Sequence, residues 1–272
     1  MASPLVVLTD FYAVTNRALS YAAGLAVPLK AALVLLHARR DELLAPPEDG
    51  SHHPRSERAT VRALYALADD QPLSTEVDIA DKYLPEAVRE VVRHHHPLLL
   101  VLGRPGGADT PVEILTSTAM DLLSNVPYPL LVVPAPGWDA FPPRRLLLAV
   151  DGEPFVLRPH QDVVRQLLQV ANGTLAVVRV TDDSHARLGA ETILRTVAAS
   201  DLTGALPPSQ LHEVYHHSVV GGVLAEAARQ DADLLVVVAR RHSLLGSLFH
   251  RSVTAQLIER SPIPVLVLPA ED

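Results

Sequence analysis

Gly103-Arg-Pro-Gly106-Gly107 separates an apolar run, Leu98–Leu102, from an amphipathic stretch, Val112–Leu123. Glycines in such a place let a phosphate approach backbone N–H groups with no Cβ in the way. A helix starting just beyond them adds partial positive charge. The same segment also carries opposing features. Asp109 and Glu113 are acidic, Arg104 is the only base between Gly103 and Ser117, and Thr110-Pro111-Val112-Glu113 spells a capping box. In that box Glu113 satisfies its own helix end and competes with a phosphate for it. The segment therefore reads either as a nucleotide-binding turn or as a tight turn before a self-capped helix.

Two aspartates, Asp10 and Asp151, each close an apolar run. A carboxylate there can accept hydrogen bonds from a sugar hydroxyl or an adenine amine, and it can equally cap a turn. Arg240, Arg241, His242, His250 and Arg251 form a cationic cluster. They could hold an anion through side chains, or simply offset local acids. His94-His95-His96, His52-His53 and His216-His217 are consecutive, whereas a helical metal site wants i, i+4 spacing. No G-x-S-x-G elbow, H-E-x-x-H pair, complete P-loop or paired catalytic carboxylates on one helix face is present. Catalysis has no evident machinery in this sequence.

Composition narrows the classes further. The net charge is −8, and only Lys30 and Lys82 are lysines among 23 basic residues, which disfavours a nucleic-acid surface. The absence of cysteine excludes disulfides, zinc-thiolate sites and thiol nucleophiles, and fits a reducing cytoplasm. No apolar stretch reaches the roughly 18–20 residues of a membrane span. MASPLVVLTD has no cationic leader and enters a strand at once, so no signal peptide is expected. Hydrophobic residues make up 48% of the 272 positions, ample for two cores.

The elements that must position these residues alternate along the chain. Strands are expected at Pro4–Thr9, Ala31–His37, Ser74–Ile79, Leu98–Leu102 and Leu130–Val133. Helices are expected at Ala13–Ala26, Arg58–Ala68, Leu84–Arg93 and Val112–Leu123, with a loop at residues 41–55. After a proline-rich connector, Ala135–Pro143, the order restarts. Strands fall at Leu146–Val150, Thr174–Val180, Leu211–Tyr215, Asp233–Ala239 and Pro264–Leu268, and helices at Phe155–Val170, His185–Ala199, Val219–Arg229 and Phe249–Glu259.

The two passes match in detail. Asp10 corresponds to Asp151 at an offset of 141, Gly103 to Ala239 at 136 and Ser117 to Ser252 at 135. P-x-P-x-x-V-x-P opens at Pro127-Tyr-Pro129 and again at Pro262-Ile-Pro264. We read one unit of about 135 residues, duplicated, with domains at 1–135 and 144–272 and a linker at 136–143. Strands so uniformly Val, Leu and Ile are covered on both faces, which requires a doubly wound parallel sheet of five strands in each unit. One order reversal then places a crevice at the carboxyl ends of the first and fourth strands, beside Asp10 and Gly103 or Asp151 and Ala239. The apolar last strand of each unit needs a cover, and the two can cover each other across a pseudo-twofold as an internal dimer.

An Asp ending the first strand, a G-x-x-G turn after the fourth, a Ser early in the last helix and a proline-bracketed last strand resemble the universal stress protein (UspA-like) family. The likeness spans the chain twice, as in tandem members. It implies an adenine nucleotide alpha hydrolase-like fold and, in the family's nucleotide-binding branch, a G-2x-G-9x-G-[ST] motif for ATP. Carried onto this sequence, the motif gives Gly103, Gly106, Thr116 in place of the third glycine, and Ser117, with Asp10 near the adenosine. The second unit keeps Asp151 and Ser252 but has Ala239, His242 and Arg251 where glycines belong, with the spacer one residue short.

The resulting expectation is a cytoplasmic, non-catalytic stress-response module. Its first half would hold ATP or another adenine nucleotide, with Mg only as the nucleotide's companion, and its second half would be a degenerate copy. A homodimer is compatible with this reading; nucleic-acid and membrane partners are not. A slow ATP hydrolase and a ligand-free protein-interaction scaffold are the alternatives.

Overall fold

The computed structural model describes residues 3–9, 13–39, 57–104, 112–135, 142–157, 159–181, 190–204, 206–240 and 252–270. In the first half, β1 (Leu5–Leu8), α1 (Ala13–Leu29), β2 (Leu33–Ala38), α2 (Glu57–Asp69) and β3 (Thr75–Ala80) come first. They are followed by α3 (Leu84–His95), β4 (Leu99–Arg104), α4 (Val112–Asn125) and β5 (Leu130–Pro134). The second half repeats the order with β6 (Arg145–Val150), α5 (Asp162–Ala171), β7 (Thr174–Thr181), α6 (Ala190–Ala199) and β8 (Leu211–Tyr215). It ends with α7 (Val219–Arg229), β9 (Leu234–Arg240), α8 (Val253–Arg260) and β10 (Val265–Ala270).

The ten strands form one sheet in the order β3-β2-β1-β4-β5-β10-β9-β6-β7-β8, which reads the same from either edge. Each half is parallel and doubly wound. The single antiparallel junction is β5 with β10, where Leu131 lies opposite Leu266 and Val132 opposite Val265. Around this junction each helix meets its own counterpart, α1 against α5 and α4 against α8, as a pseudo-twofold requires. The period of two along each strand sorts side chains onto opposite faces. Leu5, Val7, Leu131, Leu148 and Leu266 join one core, and Val6, Leu8, Val132, Leu147 and Val265 join the other. Both cores run through both halves without interruption.

The helix expected at Phe155–Val170 is shorter: α5 begins at Asp162. Pro159 works against a helix continuing through it from Phe155, because it disfavours helical backbone at the preceding residue. Phe155 and Leu157 are instead buried in the core from an irregular segment. The parts of the expected helices that fall at residues 185–189 and 249–251, and the loop at 41–55, lie outside the described residues. Several helices end in the left-handed region without glycine, and these ends recur between halves: Lys30 with Asn172 after α1 and α5, His96 with Asp231 after α3 and α7.

Candidate functional site

The order reversal falls between β1 and β4 in the first half and between β6 and β9 in the second, so the crevices open at the carboxyl ends of those strands. In the first half, Thr9 follows β1 and donates both its N–H and its hydroxyl to Leu36 O, at 2.9 and 3.0 Å. His37, at the end of β2, brings Nδ1 to 3.3 Å from Thr9 O. Asp10 itself lies outside the described residues, as do Gly106, Asp109 and Thr110. Gly103 is buried in β4 opposite Val133 of β5.

Thr116 and Ser117 stand inside α4. The helix starts at Val112, so its unpaired N–H groups belong to its first turn, where Glu113 is exposed. Thr116 is buried and helical, so a β-branched residue at the motif's third glycine carries no left-handed strain. Ser117 is exposed. With its N–H committed to the helix ladder, it can offer a ligand only its hydroxyl.

Arg104, the base expected to oppose the local acids, turns to the other half. Its guanidinium donates to Ile258 O at 2.7 Å, Glu259 O at 2.5 Å and Ser261 O at 2.5 Å, the carbonyls at the end of α8. Burial draws its pKa below the usual arginine value while the Glu259 charge acts the other way, and the group stays cationic.

The second half carries an arginine one position further along: Arg104 pairs with Pro134 and Ala239 with Pro269, so the expected match of Gly103 to Ala239 moves to Val238, and Arg240 faces the opposite side of the sheet from Arg104. Arg240 grips Asp151 with two hydrogen bonds of 3.0 Å, Nε to Oδ2 and Nη2 to Oδ1. The same guanidinium also donates to Pro154 O at 2.8 Å and Glu153 O at 2.9 Å. Asp151 Oδ1 also accepts the Glu153 N–H at 2.9 Å, closing a turn in which Gly152 has φ 96°, a conformation suited to glycine. Burial would push the Asp151 carboxyl up, but the Arg240 hydrogen bonds, the Glu153 amide and the arginine charge outweigh it and hold it below the usual range.

Arg179, buried in β7, completes the arrangement by donating to Asp151 O at 3.4 Å and Glu213 Oε1 at 3.2 Å. The crevice of the second half is thus occupied by its own ion pairs. Sequence reasoning missed Arg179, Glu213 and His37. By strand register Arg179 is the counterpart of His37, since Val178 lies opposite Ala149 as Leu36 lies opposite Leu8. The available signal was a lone arginine interrupting the apolar run Leu175–Val180.

Ser252 is the N-cap of α8, its hydroxyl accepting the Ala255 N–H at 3.0 Å. Its counterpart Ser117 lies well inside α4, so the two last helices do not begin at equivalent positions. Arg241, His242, His250 and Arg251 lie outside the described residues. Of the histidines, His96 is the left-handed cap of α3, with its N–H on Val92 O, and His95 Nε2 stands 3.7 Å from Asp78 Oδ2. His216 accepts the Ser218 N–H at Nδ1 (3.0 Å) and stacks on His217. No group of three metal-ligating side chains occurs among the described residues, and no described helix is long and apolar enough to cross a membrane.

Comparison with known proteins agrees with this architecture. The model of the universal stress protein family matches residues 1–134 and again 143–269. A universal stress protein from Archaeoglobus fulgidus DSM 4304 superposes with a TM-score of 0.64 at 15% identity, covering 100% of this chain and 98% of that one. A functionally unknown protein from Pseudomonas aeruginosa PAO1 gives 0.58 at 17%, covering 99% and 93%. The cytoplasmic domain of a prokaryotic cation chloride cotransporter gives 0.57 at 12%, covering 100% and 96%. No curated protein matches the sequence.

Proposed function

The chain belongs to the universal stress protein family, and on that ground we propose that it is a non-catalytic binding module with one adenine-nucleotide site, in its first half. The observation that carries the asymmetry is the Asp151–Arg240 pair. In the second half the carboxylate that would read a sugar or base is already held by a guanidinium. In the first half the arginine that ends β4, Arg104, lies on the other face of the sheet and points its donors at α8.

In this reading Asp10 receives the adenosine part, and the turn from Gly103 through Gly106 admits the phosphates to backbone N–H groups. Ser117 contributes a hydroxyl, and Thr116 packs beneath the helix. Mg enters only with the nucleotide. The β5–β10 junction serves as an internal dimer contact, which leaves further association between chains optional.

Mass spectrometry of the extract from denatured, purified protein is the first test. A co-purifying adenine nucleotide supports the proposal, together with an ATP-induced thermal shift that Gly106→Val abolishes. Sustained ADP release, lost in the same variant, would instead make the protein a hydrolase.

A second reading, a ligand-free interaction scaffold, draws on the exposed Glu113 in the first turn of α4 and on the commitment of Arg104 elsewhere. Both deprive a phosphate of positive potential. Absence of any nucleotide, with no shift on adding ATP, selects it.

A further inference from the structure

Arg104 follows directly on Gly103 at the end of β4, where its backbone pairs with Pro134 of β5. It is therefore fixed at the root of the glycine turn. Its side chain spans the pseudo-twofold interface and ends on three carbonyls of the opposite half, those of Ile258, Glu259 and Ser261. Those carbonyls include ones that α8 cannot satisfy internally, because the last four C=O groups of a helix have no partner in the ladder. A cation at that end also meets the negative pole of the helix.

The same end of α4 is served locally. Arg89 of α3 donates to Asn125 O at 3.4 Å, and Asn125 folds its amide back onto Asp121. Arg104's position in β9 is filled by Ala239, which has no side chain to reach α4, so among the described residues the bridge exists in one direction. One arginine joins the turn of the first half to the last helix of the second, and no described residue returns an equivalent bond.

We propose that Arg104 is a coupling residue: displacement of the glycine turn, whether by a ligand or by substitution, is transmitted through its guanidinium to the C-terminal turn of α8. The interface between the halves then reports the state of the first-half crevice. The ligand part rests on the nucleotide reading given above; the mechanical part does not.

Hydrogen exchange on the full-length protein separates the two. Arg104→Gln keeps a polar side chain but removes the charge and most of the donors. Exchange of amides in residues 258–263 should rise about tenfold or more, the loss of charge-assisted hydrogen bonds at a partly buried site. ATP should slow exchange at 103–117 and also change it at 258–263 in the unmodified protein, but only at 103–117 in the variant. Unchanged exchange at 258–263 in Arg104→Gln overturns the proposal. So does an ATP response at 103–117 that never reaches 258–263 while Arg104 is intact. If ATP alters neither segment, the nucleotide reading fails, and Gly106→Val becomes the perturbation of the turn. Exchange at 258–263 must then respond to it with Arg104 present and ignore it in the Arg104→Gln background; a response equal in both overturns the coupling.

Discussion

Replacing Arg240 by methionine keeps most of the buried stem and deletes the guanidinium. At least four hydrogen bonds disappear, among them two to Asp151 and one each to the Pro154 and Glu153 carbonyls. The two halves of this loss differ in worth. The Asp151 side chain is 57% exposed, so solvent screens the ion pair to about 1 kcal/mol or less. The two carbonyl bonds come from a charged donor whose side chain is only 14% exposed, and together contribute roughly 1.5–2 kcal/mol net. We expect a loss of about 2–3 kcal/mol near neutral pH, roughly 4–10 °C in midpoint for a chain of this size.

The pH dependence identifies the ion-pair share. The Asp151 carboxyl is depressed in the folded state, so the pair stabilises fully above the unfolded carboxylate pKa of about 3.9 and fades as pH falls through the lower folded value. Thermal melts of both proteins from pH 7 to pH 2 should show their difference narrowing by about 1 kcal/mol or less at the acid end while the carbonyl share persists. Equal stability at neutral pH would refute the closed-crevice geometry. A gap constant down to pH 2 would refute the ion pair.

Other perturbations read other parts of the structure. Asp233 holds the start of β6, accepting the Arg144 and Arg145 N–H groups and the Arg145 guanidinium at 2.9 Å each, with its side chain 7% exposed; Asp233→Ala should cost about 2–4 kcal/mol in urea unfolding. His96 sits at φ 44°, so His96→Gly should raise stability by about 0.5–1 kcal/mol, and a loss would mean that its ring, not its backbone, matters there. At Gly222 a Cβ would stand 2.7 Å from Val180 Cγ1, and Gly222→Ala should cost about 1–3 kcal/mol. Leu266→Asp, a buried strand position paired with Leu131, should unfold both halves in one transition because each core crosses the junction; two separate transitions would contradict that continuity.

Much of the fold was legible because its strands are apolar throughout. Runs such as Leu98–Leu102 and Leu234–Val238 have no solvent face, and that alone demands helices on both sides and parallel strands. β3, in which Val77 and Ile79 alternate with polar neighbours, is an edge strand. At Phe155 the apolar residues invite a helix that Pro159 does not allow to run through, and α5 starts only at Asp162. The candidate site was less legible because its decisive features are choices made by long side chains. Sequence pattern matches Gly103 to Ala239, but the register matches it to Val238, so Arg240 stands one residue beyond Arg104's position and reaches back to its own aspartate where Arg104 crosses to another helix. A one-residue offset in a strand exchanges the two faces of the sheet, and it shows only once the strands are paired.

We propose one nucleotide site in a duplicated chain whose second crevice is filled from within. Isothermal titration of the nucleotide-free protein with ATP and Mg tests it most directly, repeated on Asp10→Asn and Asp151→Asn. One ATP per chain is expected, with binding weakened at least tenfold by Asp10→Asn and untouched by Asp151→Asn. Two sites per chain, or a single site lost in Asp151→Asn and retained in Asp10→Asn, would contradict it.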